Sequence, residues 1–261
     1  MPNFNPLSIR LVRPVLVSLL YLALAACGGT KILKEPLPMA IGQPIAEAAD
    51  EQVTVSVDWV IVREGPGTWA KNADWDEYLV RVQNHSQDRL LIEDIGVFDS
   101  MLVRTSSGES RRGLVAGSRQ TARRYADNDI QVKAGVGAGA LLAAGAVGGA
   151  AAVSAGAAAL YMSSAAAATT LGVLLAAPAL VAGGVVKSLN QGRVDAEIIS
   201  RQTVLPMFLE PGESRGLDLF FSLTPSPRKL RLEYQLNPDP QRYSLEIDFG
   251  NALQGLHLST K

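Results

Sequence analysis

The chain has 261 residues, 48% of them hydrophobic and 19% charged, and its 24 Lys and Arg against 25 Asp and Glu leave a net charge near −1. That balance carries no electrostatic footprint for nucleic acid. One cysteine excludes a disulfide framework, and the two histidines, His85 in a turn and His257 in the tail, have no second ligand at metal-site spacing.

Arg10 and Arg13 give the N-terminus a positive start, and Val15 to Ala26 is apolar but too short for an ordinary membrane span. This is the pattern of a secretory signal. Leu24-Ala25-Ala26-Cys27 resembles a bacterial lipobox, and the resemblance covers residues 1–27. It implies that 1–26 is removed, that Cys27 is lipidated, with palmitate among its acyl chains, and that this residue opens the mature chain. Two or more acyl chains hold a protein firmly to a bilayer. Gly28 stands where the family's inner-membrane retention signal would place Asp, so the resemblance implies the outer membrane, with the folded domain facing the periplasm.

Residues 27–51 contain Pro36, Pro38 and Pro44 without a sustained period, and are expected to be a tether. Strand signals fill 52–110. Val53, Val55, Val57, Trp59 and Ile61 alternate with Thr54, Ser56 and Asp58, then Tyr78 to Gln83, Leu90 to Phe98 and Met101 to Thr105 follow between turns. Residues 111–132 read as a polar, helical connector, Gly113 to Ile130, rich in arginine. Arg119, Arg123 and Arg124 are candidates for contact with lipid headgroups. The alternative is a solvated helix face with an Arg123–Asp127 pair.

From Ala134 to Val186 the chain runs fifty-three residues without Asp, Glu, Lys, Arg or His, and thirty-one of these are Ala or Gly. Ala favours helix, and small residues let helices approach closely. The length allows two membrane spans and a turn near Ser163 and Ser164, so 133–187 is expected to form a helical hairpin, one arm from Lys133 to Leu160 and one from Ala165 to Lys187. Gly135 with Gly139, Gly145 with Gly149, and Gly156 form rows that would make a groove for a second helix. These rows resemble the glycine-zipper segments of other bacterial envelope proteins. The hairpin would contact membrane, pack inside a protein assembly, or serve as a flexible linker.

Strands resume over 198–250: Ile198 to Leu205, Leu217 to Leu223, Leu230 to Leu236 and Tyr243 to Phe249, with a tail at 251–261. Pro211-Gly212-Glu213, Pro225-Ser226-Pro227 and Pro238-Asp239-Pro240 separate them. The expected fold is therefore α+β: an antiparallel β-sandwich resembling immunoglobulin-like domains of envelope proteins, interrupted by an Ala/Gly-rich, transmembrane-like α-helical hairpin.

No nucleophile with a base and no metal cluster can be assembled from sequence, so no catalytic residue, metal or cofactor is expected. Asp74, Asp76 and Glu77 are the densest acidic group, but they lack the glycine and the last glutamate of a calcium loop and read as a solvated turn. An enzyme would need a pocket gathering them with His85. The expectation is a non-enzymatic outer-membrane lipoprotein, a structural or self-associating envelope component. Its partners would be the membrane and either a second copy or an envelope protein. The alternative is a binding module or accessory subunit of an envelope secretion or transport complex.

Overall fold

The computed structural model describes residues 30–39, 42–108, 110–136 and 183–259. In chain order these form β1 (Lys31–Ile32), β2 (Ala46–Ala49), β3 (Val53–Ile61), β4 (Ala70–Lys71), β5 (Trp75–Asn84), β6 (Arg89–Phe98) and β7 (Arg104–Ser106). Next come α1 (Arg111–Ala126), β8 (Gln131–Val132) and α2 (Gly183–Arg201). The chain closes with β9 (Met207–Leu209), β10 (Ser214–Ser222), β11 (Lys229–Asn237), β12 (Arg242–Asp248) and β13 (Leu258–Ser259).

Two antiparallel sheets carry the core. One has the order β10-β5-β3-β2, the other β12-β11-β6-β7 with β9 also paired to β6. The period-two residues face inward: Val53, Val55, Val57, Val80 and Val82 from the first sheet meet Ile95, Val97, Leu230 and Leu232 from the second, all fully buried. Each such side chain stabilises the domain by about 1.5–3 kcal/mol. Register follows the pattern, with Val55 opposite Val82 and Leu232 opposite Ile95. A bulge between Val57 and Trp59 shifts the end of β3, where Trp59 and Ile61 pack with Leu79 under Met39 on the outer face.

The helices cover the other end of that outer face. Ser110 caps α1 by accepting from the Gly113 N–H at 3.2 Å, and Leu114, Ser118, Thr121 and Tyr125 form its buried stripe. Val194 and Ile198 of α2 join Leu114, Trp69, Trp75 and Phe220 in a second apolar cluster.

Several expectations are corrected. The hairpin of 133–187 does not begin or end as a pair of membrane-length arms. Gln131–Val132 is strand and Lys133 leads into a turn, in which Gly135 has a φ of +80°, so Gly135 belongs to no helical groove. At the other end the helix does not stop at Lys187 but runs on to Arg201. A charge ends an apolar run without ending a surface helix, because its polar side faces water. Among the described residues no helix is long and apolar enough to cross a membrane. The described chain is mostly β-sheet with two short helices. Residues 137–182, with Gly139, Gly145, Gly149 and Gly156, lie outside the described residues, as does Cys27.

Ile198 to Leu205 is not a strand. Ile198 to Arg201 are the last turn of α2, and the paired segment is the shorter β9. Nor is the strand order immunoglobulin-like, which would divide seven strands as ABED and CFG. Taking β2, β3, β5, β6, β10, β11 and β12 as A to G, the division here is ABCE and DFG. The span read as a tether also contributes β1, paired with β4, and β2, the edge strand beside β3.

Candidate functional site

The start of the uncharged stretch is stitched to the domain by the C-terminal segment. β13 pairs with β8, the Lys133 N–H donates to the His257 carbonyl at 2.9 Å, and the His257 N–H donates to the Val136 carbonyl at 2.7 Å. The imidazole completes the stitch. Its Nδ1 accepts from the Gly135 N–H at 3.2 Å, which puts the ring proton on Nε2, 2.7 Å from Asp76 Oδ2. Both side chains are fully buried. Glycine is required at 135 twice over, by its positive φ and because a Cβ would lie 2.5 Å from the Arg63 carbonyl oxygen.

The return of the stretch is held through α2. Arg201 lies over the Trp69 ring at 4.9 Å, bonds Glu197 Oε1 at 2.7 Å and reaches to 3.8 Å of Glu77 Oε1. Glu77 Oε2 accepts from Trp69 Nε1 at 2.5 Å. Just past the helix, Thr203 is laced to Asp218, its N–H donating to the Asp218 carbonyl at 2.8 Å and its hydroxyl accepting from the Asp218 N–H at 3.0 Å. Arg111 Nε reaches Asp195 Oδ1 at 2.8 Å and ties α1 to α2.

Glu77 is buried and Asp218 half-buried with its Oδ1 shut off from solvent, on the face covered by α2. Burial raises Glu77 above the ordinary carboxylate range, opposed by Arg201 and by hydrogen bonds from Asp218 and Trp69. Burial, then the charge of Glu77, raises Asp218 further. The pair therefore holds a proton that an exposed pair would release. The cavity beside Glu77, bounded also by Trp69, Trp75 and Arg63, is about 10 Å³, room for roughly one water. The chemistry of this cluster is thus the fixing of α2.

The other sequence candidates are dispersed. Asp76 and Glu77 sit in β5 and point to opposite faces, Asp74 pairs with Arg63, and His85 bonds Thr54 Oγ1 at 2.7 Å near the surface. They form no common pocket, and among the described residues no three His, Cys, Asp or Glu side chains are grouped as metal ligands. Arg119 and Arg123 are exposed, whereas Arg124 is drawn to Asp99 Oδ2 at 2.6 Å. The described ion pairs do not include Arg123 with Asp127. His257 and Asp218 escape sequence reasoning, since nothing local marks a tail histidine as buried or a strand aspartate as half-buried. The one available signal is the pair Asp76-Glu77 inside an apolar strand, which sends one carboxyl to each face.

No protein-family model matches the chain. No curated protein matches it. Among solved structures it is similar to a Bacillus subtilis chain described as "a putative lipoprotein (ycdA)", with 10% identity and a TM-score of 0.32. The match covers 77% of this chain and 38% of that one, so this chain spans well under half of that protein's length. A likeness of this degree assigns neither fold nor function.

Proposed function

We propose that the protein is a non-enzymatic lipoprotein of the outer membrane, held by lipid on Cys27, with its β-sandwich in the periplasm as a rigid platform for the uncharged Ala134–Val186 stretch. One observation carries this reading: the stretch leaves and re-enters the same domain, rooted at Val136 by His257 and at α2 by Val194, Ile198 and Arg201. A fold that secures both ends of its most apolar segment, one of them through the buried His257–Asp76 pair and the other beside buried Glu77, is organised for presentation. The stretch has no charged residue to keep it in water, so a bilayer or another protein covers it.

The test is the N-terminal peptide of protein taken from washed membranes, compared with Cys27→Ser behind a signal that is still cleaved. Mass spectrometry is expected to find acyl chains on Cys27, and an unmodified thiol overturns the reading. Carbonate extraction of Cys27→Ser then identifies the cover. Retention makes the stretch itself a membrane element and keeps the self-associating component. Release makes it a packing surface for another envelope protein, the accessory-subunit reading.

A further inference from the structure

Two helical faces remain turned away from the first sheet. α1 carries five arginines and no acidic residue between Arg111 and Ala126. Arg112, Arg119 and Arg123 recur at intervals of seven and four, a single stripe opposite the buried Leu114, Ser118 and Tyr125. All three are exposed, and no ion pair holds any of them among the described residues. On α2 the spacing three, four, three puts Leu189, Gly192, Ala196 and Ile199 on one stripe, opposite Val194 and Ile198. Leu189 and Ile199 are each 64% exposed. The acidic residues of α2 are turned aside, Asp195 to Arg111 and Glu197 to Arg201.

Leu114 of α1 and Val194 and Ile198 of α2 bury into one apolar cluster, and the Arg111–Asp195 pair joins the helices, so the stripes opposite those residues both turn outward. A row of unpaired guanidinium groups together with a row of bare aliphatic side chains matches one chemistry, the boundary between anionic phosphates and acyl chains. We propose that this α1–α2 face docks flat on an anionic lipid surface, Arg112, Arg119 and Arg123 meeting phosphates while Leu189 and Ile199 enter the interface. The proposal rests on the lipoprotein reading for the membrane being at hand, and its own contact is independent of the anchor.

Cys27 is the only cysteine, so the full mature chain with Cys27→Ser and Ile199→Cys can be labelled at one thiol with an environment-sensitive dye. Vesicles of phosphatidylcholine with phosphatidylglycerol are expected to shift the emission to the blue. Pure phosphatidylcholine should leave it unchanged, and high salt should reverse the shift. A dye at Arg242→Cys, on a strand of the other sheet, should not respond. Replacing Arg112, Arg119 and Arg123 together by Gln is expected to weaken partitioning about a hundredfold. Leu189→Ser, with every arginine kept, should weaken it about tenfold.

Equal binding by the Gln variant, or equal binding to neutral vesicles, overturns the proposal in favour of contact through the Ala134–Val186 stretch. A blue shift that grows with protein concentration without vesicles overturns it in favour of a second copy. Absence of acyl chains on wild-type Cys27 would sink the lipoprotein reading while leaving the vesicle result to be judged separately.

Discussion

Asp218 stands where strand periodicity asks only for something that packs under a helix, and its carboxyl, with Oδ1 shut off from solvent, lies within reach of a second one. Desolvation and the charge of Glu77 both raise its pKa, so the folded chain keeps a proton that the unfolded chain gives up. The folded state therefore binds more protons than the unfolded one, and stability falls as pH rises from the ordinary carboxylate range through the raised one. Asp218→Asn should flatten that slope, leaving the share that burial gives Glu77, and stabilise the domain by about 1–2 kcal/mol at alkaline pH, roughly 2–8 °C in Tm. Melting curves of the two proteins across neutral and alkaline pH decide this, and parallel curves would refute it. His257 presents the opposite case, because its loss strands Asp76. His257→Ala should cost about 3–5 kcal/mol in urea unfolding, well beyond a surface substitution.

At the scale of elements, α2 shows why part of the fold was legible and part was not. Val53 to Ile61 and Leu230 to Leu236 alternate without a competing period, so sequence alone locates β3 and β11. Ile198, Ile199, Val204 and Leu205 satisfy a strand reading just as well, and only contact with Trp69, Trp75 and Phe220 selects the helical spacing of Val194 and Ile198. The two isoleucines then differ sharply. Ile198→Ala should destabilise by about 2–5 kcal/mol, and Ile199→Ala by less than about 0.5 kcal/mol. Equal losses from denaturant curves would contradict the helix. β2 was hidden for another reason: Ala46-Glu47-Ala48-Ala49 has poor strand propensity and pairs because the edge of β3 is there to receive it. The contacts of His257 with Asp76 and of Asp218 with Glu77 span more than a hundred positions and leave no local trace.

For the whole molecule, strand pairing crosses the uncharged stretch in both sheets of the core. β5 takes β10 as its neighbour and β6 takes β11, so each sheet is built from both halves of the chain. The length of the covalent link between the halves then matters little to the finished fold, because closing a loop depends only logarithmically on its length, about 0.6 kcal/mol per doubling. A protease site placed between Ser163 and Ser164 and cut after folding should leave both fragments in one native complex on size exclusion. Separation of the fragments would show that the sheets do not hold them. The same pairing has a consequence during biogenesis. When residues 52–110 first emerge, β5 and β6 each present an open edge, and the strands that close them arrive well over a hundred residues later. Until then those edges are templates for any other extended chain. The uncharged stretch emerges within the same interval, so open sheet edges and an apolar segment lie uncovered together.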